Sequence, residues 1–173
     1  MKIIVAISGS SGSKLGLSVL EKLPEDYDKH LIITDHADIV LDKEHSITLH
    51  KNDEIWASVA SGSFQADAMM ITPCSMNTLA KISSGIADNL ITRAAAVMIK
   101  ERKELLLAPR ELPLSAITLE NMQKLAALGI IIAPPIMGFY SEQKTLEDME
   151  DFIIGRWFDQ LKIPHKLYKR WEG

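Results

Sequence analysis

The sequence predicts a single α/β domain: three layers, α/β/α, around a mainly parallel sheet. Three observations point there. Short, wholly apolar runs alternate with segments of helical period. Most of these apolar runs give way to a loop rich in Gly, Ser or Pro. The 173 residues, 47% hydrophobic and 24% charged, match one packed domain of ordinary size. Strands with no polar alternation are buried on both faces, which is the habit of parallel sheets covered by helices.

The elements follow in order. Ile3–Ile7 reads as a buried strand, and Lys14–Leu23 as a helix in which Leu15, Val19 and Leu23 recur every four residues. Leu31–Ile33 is a second strand and Asp35–Leu41 a helix. Residues 44–63 are less regular. Ala68–Ile71 is a third strand, followed by helices over Met76–Ser83 and Leu90–Arg102. Leu105–Leu107 is a fourth strand, Leu119–Leu128 a helix closed by Gly129, and Ile130–Ile132 a fifth strand. Thr145–Leu161 forms the last helix, with Thr145 as N-cap and Asp148 three positions on. No repeat or interdomain linker interrupts residues 1–173. The tail, about 163–173, is expected to fray or to pack on a neighbouring subunit.

Composition removes several function classes. A net charge of −4 supplies no global positive field for nucleic acid. No apolar stretch reaches the ~18 residues of a membrane span. The single cysteine, Cys74, permits no internal disulfide and no thiolate cluster. The opening apolar run is too short for an export signal, so the chain reads as cytoplasmic. The five histidines share no metal-ligand spacing, and no metal site is expected.

Four strand-end loops carry polar chemistry. Ser8–Ser13, with Gly9 and Gly12, lets backbone approach a ligand and points helix amides at an anion; a tight βα turn with a Ser cap explains the same residues. Thr72–Thr78 places Ser75 as a cap before a helix, with simple capping as the alternative. Cys74 there reads as a packed apolar residue rather than a nucleophile. Pro109–Pro113 holds Arg110, suited to fork onto a phosphate, beside Glu111, suited to orient it or to move a proton; an exposed ion pair is the plainer reading. Pro134–Tyr140 presents Phe139 and Tyr140, either as the wall of a pocket or as an apolar plug. Arg156, in the last helix, would by itself pass for a solvated surface residue.

Taken in order, these segments resemble the UbiX family of the flavoprotein decarboxylase-like superfamily. Ile7–Gly12 is similar to the family's SGASG loop, Asp88–Ala95 to its DNLLTRAADV and Pro109–Leu114 to its PRETPL. Ala60–Phe64, Pro73–Ala80, Lys100–Arg102, Pro134–Pro135 with Phe139–Tyr140, and Gly155–Arg156 with Asp159–Leu161 complete the pattern over nearly the whole chain. Each motif is weak singly; their order and spacing are specific.

The resemblance implies a flavin prenyltransferase, working without a metal, that transfers a dimethylallyl group from dimethylallyl monophosphate to N5 and C6 of reduced FMN. It implies a Rossmann-like protomer in a homododecamer with sites between subunits, and delivery of prenylated FMN to a UbiD-type decarboxylase. FMN would be held by Gly9, Ser10, Ser11, Thr34, Ser75, Met76, Asn77, Thr78 and Arg110. Tyr140, Arg156 and Lys100 would hold the prenyl phosphate. Ser11, Glu111, Lys100 and Arg110 would serve catalysis, with Glu44 and Trp171 near the site. The sequence departs from the family pattern at Asn77, usually Lys, at Met137–Tyr140, which stands where the family has Pro-Ala-Phe-Tyr, and at Ser141–Gln143, which replaces His-Arg-Pro and removes a positive charge.

Two rival readings stand beside this one, the first from the same superfamily. A flavin-dependent cysteine-type decarboxylase would share a PxMN-like segment, to which Asn77 adds, but it needs a histidine base in a motif that His30, His36, His45 and His50 do not match. A non-catalytic FMN-binding protein would lack the prenyl-phosphate residues.

Overall fold

The computed structural model describes residues 1–9, 12–34 and 47–171. Its strands are β1 (Lys2–Ser8), β2 (Asp28–Ile33), β3 (Ile47–Lys51), β4 (Ala68–Cys74), β5 (Glu104–Pro109) and β6 (Ile131–Ile132). They form one sheet in the order β3-β2-β1-β4-β5-β6, with every neighbouring pair parallel. The order reverses between β1 and β4. That switch point opens a crevice at the strands' C-terminal ends, where doubly wound sheets bind ligands.

The helices are α1 (Ser13–Lys22), α2 (Met76–Ser83), α3 (Leu90–Lys100), α4 (Ala116–Ala127) and α5 (Leu146–Gln160). The period-2 geometry of the strands sends alternate side chains into two cores. Ile4, Ala6, Ile32, Met69, Ile71, Leu105 and Leu107 pack with Leu79, Leu90, Met98 and Leu125 of α2, α3 and α4. Ile3, Val5, Ile7, Leu31, Met70 and Leu106 pack on the opposite face with Val19 and Leu20 of α1 and with Phe152, Ile154 and Phe158 of α5. The architecture is therefore the three-layer α/β/α sandwich expected.

The caps explain the helix starts. Thr145 and Asp148 form a reciprocal capping box, as the sequence indicates, and Asn89 with Thr92 forms a second. Ser115 caps α4 by accepting from the Thr118 amide (3.2 Å), so that helix begins three residues before its apolar period does.

One strand is an addition to the five expected. β3 pairs with β2 at the sheet's edge, where Thr48 and Leu49 are exposed and only His50 is buried. An edge strand need not be apolar throughout, so the pattern that revealed the central strands does not reveal this one. The expected helix over Asp35–Leu41 lies outside the described residues. Among those described, no helix is long and apolar enough to cross a membrane.

Gly16 sets the seat of α1. A β-carbon there would stand 2.3 Å from the Thr72 carbonyl oxygen and 2.8 Å from Ile7 Cγ1. The helix can therefore lie directly against β1 and β4, which brings its N-terminal loop over the switch point.

Candidate functional site

The two strands at the switch point are tied at their ends by Ser8. Its hydroxyl accepts from the Ser75 amide (2.9 Å) and donates to the Pro73 carbonyl (3.3 Å), so the β1 and β4 loops leave the sheet together. Gly9 has φ +122° and Gly12 φ +90°, conformations L side chains rarely adopt, which turn the chain sharply above the sheet. Ser75 then caps α2: its oxygen accepts from the Thr78 amide (3.2 Å) and its hydroxyl donates to Thr78 Oγ1 (3.0 Å). The Ser75 oxygen thus engages the third amide of the helix and not those of Met76 and Asn77, which as first-turn amides have no intrahelical acceptor. Such amides suit a carbonyl or phosphate oxygen.

β5 delivers Arg110 and Glu111 to the same rim. The Arg110 amide donates to the Cys74 carbonyl (3.4 Å), and the Arg110 side chain lies across Gly12, 3.4 Å from where a β-carbon would be. Glu111 is exposed and accepts from the Leu112 amide (3.1 Å). Thr34 is half-buried just past the end of β2. Gly9, Thr34, Ser75–Thr78, Arg110 and Glu111 thus all follow the C-terminal ends of four strands. The glycine cradle, the first-turn amides and the guanidinium fit a planar ligand bearing a phosphate, as FMN does.

A second cluster stands beyond β6. A cleft of ≈ 460 Å³ is lined by Ala133, Pro134, Met137, Gly138, Phe152, Arg156 and Trp157, among others. Trp157 Nε1 donates to the Ala133 carbonyl (2.9 Å), fixing the loop to α5. Gly138 allows that loop to close on Phe152, whose Cζ would lie 2.6 Å from an added β-carbon. Tyr140 packs edge-to-face with Phe152 (5.3 Å between centroids) and Trp171 (6.2 Å).

Residues 163–171 run back along α5 of their own chain, where Tyr168 and His165 press against Gly155. At the centre of this contact is Asp159. It accepts from Arg170 Nη2 (2.7 Å) and from the Tyr168 hydroxyl, bonds His165 Nε2 (2.9 Å), and lies 3.4 Å from Arg156 Nη1. Burial would raise its pKa, but the bonds from Arg170, Tyr168 and His165 outweigh this and hold the carboxyl well below the usual carboxylate range. The Arg156 pKa is raised, first by its bond to Tyr168. Arg156 Nη1 donates to that hydroxyl at 3.4 Å.

Not every expected residue joins these clusters. Lys100 ends α3 at the opposite pole of the sheet, paired with Glu101 (3.0 Å) beside Gly62. Within one chain it lies far from the strand C-terminal ends. Ser10, Ser11 and Glu44 lie outside the described residues. The structure adds Tyr168 and Arg170 as supports of the site and gives Ser8, Gly12 and Asp159, which the motifs contain, their supporting roles. For Asp159 the sequence holds two signals, its place in the Gly155–Leu161 motif and its i, i+3 spacing from Arg156 on a helix.

Burial pushes the Cys74 thiol up to about 12, which disfavours the thiolate. Among the described residues, no group of three or more His, Cys, Asp or Glu side chains is placed to hold a metal ion.

Comparison with known proteins places this geometry. The model of the Flavoprotein family matches residues 1–157. A curated relative, the flavin prenyltransferase UbiX of Helicobacter pylori strain J99, is 46% identical over 99% of this chain and 98% of its own length. Two solved structures superpose with a TM-score of 0.91. One is a dodecameric FMN-dependent UbiX-like decarboxylase from Escherichia coli O157:H7, 37% identical with both chains fully covered. The other is AnUbiX in complex with FMN and dimethylallyl pyrophosphate, 38% identical over 99% of this chain and 97% of that one.

Proposed function

This chain belongs to the UbiX-type flavin prenyltransferases of the Flavoprotein family, and from that premise we propose that it transfers a dimethylallyl group from dimethylallyl monophosphate to reduced FMN. The observation that carries the reading is full-length likeness to UbiX proteins in a chain that keeps both clusters: Gly9, Ser75 and Arg110 at the switch point, and Arg156 in the lining of the second cleft with Tyr140 beside it on Phe152.

Gly9, Ser10, Ser11 and Thr34 would receive the flavin with the first-turn amides of α2 at Met76 and Asn77, while Ser75 and Thr78 hold that turn in shape. Arg110, braced over Gly12, would sit against the flavin and the prenyl phosphate together. When bound, reduced FMN supplies the nucleophilic N5 and then C6. The chain's part is to ease departure of the phosphate. Breaking an allylic C–O bond builds negative charge on the leaving group, which Arg156 and Arg110 would stabilise from fixed positions. The Tyr140 hydroxyl would donate to a phosphate oxygen. Aromatic faces near the cleft, those of Tyr140 and Trp171, would favour positive charge developing on the allyl group. Glu111, exposed at the rim beside Arg110, would supply the proton that opens the prenyl double bond for the bond to C6 and take up the proton that C6 releases, with Ser11 assisting.

Lys100, remote within its own chain, would complete a phosphate site in a neighbouring subunit. That role requires assembly, and we assign the protein to a homododecamer with sites shared between chains. Trp171, exposed at the end of the tail, would face such a neighbour. The product would pass to a UbiD-type decarboxylase, and the chain would act in the cytoplasm.

The placement of the described histidines weighs against a cysteine-type decarboxylase. His30 and His50 bond each other (3.0 Å) within the sheet's edge and His165 bonds Asp159, so none of the described histidines stands at the strand ends as a base. Activation of a purified, cofactor-free UbiD-type decarboxylase tests the reading. Reduced FMN and dimethylallyl monophosphate pre-incubated with this protein should restore decarboxylation. Failure to restore it, with FMN binding verified, would overturn the proposal.

A further inference from the structure

Among the described residues that line the second cleft, the cation is Arg156. Arg156 is half exposed on α5, and a long side chain in that position loses its rotamer freedom only if something fixes it. Both of its described contacts use Nη1, to Asp159 Oδ2 and to the Tyr168 hydroxyl, each at 3.4 Å. A guanidinium carries five N–H donors in a rigid fork, so anchoring one nitrogen orients the rest.

The anchor is itself held. Asp159 receives Arg170 through Nη2 at 2.7 Å and Nη1 at 3.3 Å, and His165 at 2.9 Å. Two guanidinium groups face one carboxylate, so the cluster keeps a net positive charge for an anion. The shorter bonds go to Arg170, which leaves Arg156 held but less neutralised. Lys169 extends the strap, pairing with Glu142 of the Tyr140 loop at 3.0 Å. Gly155 makes room for it: a β-carbon there would stand 2.5 Å from Tyr168 Cδ1.

We propose that Asp159 and Tyr168 are positioning residues: the C-terminal strap docks on α5 through Asp159, and its Tyr168 hydroxyl sets the Arg156 guanidinium at the mouth of the second cleft to receive the prenyl phosphate. The inference rests on the reading of Arg156 as a phosphate ligand. The strap therefore tunes affinity for the donor and not for the flavin, whose residues lie at the switch point.

Tyr168→Phe keeps the ring on Gly155 and removes only the hydroxyl; Asp159→Asn removes the charge. Titration of dimethylallyl monophosphate into the assembled protein with oxidised FMN, followed by calorimetry, reads donor binding without turnover. Both variants should bind FMN within about twofold of the parent and bind the donor about tenfold more weakly. In turnover, KM for the donor should rise while kcat changes less. If Asp159→Asn loses FMN as well, the Tyr168→Phe result decides. Unchanged donor affinity in Tyr168→Phe would overturn the proposal. A parent protein that binds the donor but forms no prenylated flavin would instead refute the proposed function and leave this test intact.

Discussion

The side chain of Arg110 lies over Gly12 so closely that a β-carbon on Gly12 would meet both Arg110 Cδ and Nε at 3.4 Å. Gly12 also has φ +90°. Ala at this position carries backbone strain of roughly 1–2 kcal/mol and pushes the guanidinium off the switch point. Gly12→Ala should therefore raise the FMN dissociation constant about tenfold, read by quenching of flavin fluorescence. Parent-like affinity would show that Arg110 and Gly12 do not share one ligand site.

Gly16 tests the helix seat independently of any ligand. A methyl group 2.3 Å from the Thr72 carbonyl must displace α1, because backbone cannot give way as a flexible side chain can. Overpacking of this kind costs about 1–3 kcal/mol. Urea unfolding of Gly16→Ala should show that loss with an unchanged m-value; a stability equal to the parent's would contradict the contact.

The His30–His50 pair makes stability depend on pH. His30 Nδ1 lies 3.0 Å from His50 Nε2, while Asp28 bonds the far nitrogen of His30 at 3.1 Å. Burial lowers the pKa of His30 against the opposing pull of Asp28. Burial and then the charge of His30 lower that of His50, with Glu54 opposing. With both folded values depressed, the unfolded chain binds more protons just below the ordinary value of about 6.5. Stability is thus full above about pH 6.5 and is lost as pH falls through that value. Urea midpoints should drop between pH 7.5 and 5.5, and His50→Gln should flatten the slope; an equal slope in the variant would assign it elsewhere.

Cys74 gives a chemical check on the sheet centre. The thiol is fully buried and its pKa lies at about 12. Iodoacetamide at pH 8 should leave the native protein unlabelled over the time that labels it fully in urea. Rapid native labelling would mean that the end of β4 opens to solvent.

Much of this architecture was legible in the residues. Ile3–Ile7, Ala68–Ile71 and Leu105–Leu107 declare central strands because burial on both faces demands continuous apolar side chains. Thr145 with Asp148 declares the start of α5. β3 was not legible, since an edge strand with Thr48 and Leu49 exposed lacks that pattern. The flavin loops could be found because Gly, Ser and Pro mark strand ends. The supports of Arg156 could not, because Tyr168 and Arg170 reach Asp159 only once the tail turns back along α5. Lys100 shows the converse: its motif suggests a site residue, while its position at the far pole of the sheet depends on topology that no local pattern encodes.

The central claim is best tested by the mass of the flavin. The purified protein, incubated without oxygen and with a metal chelator, is given reduced FMN and dimethylallyl monophosphate, and the released flavin is weighed by mass spectrometry. The account predicts prenylated FMN from the parent and a strongly reduced yield from Glu111→Gln and Arg156→Ala. Unchanged FMN from the parent, with binding of both substrates verified, would contradict it.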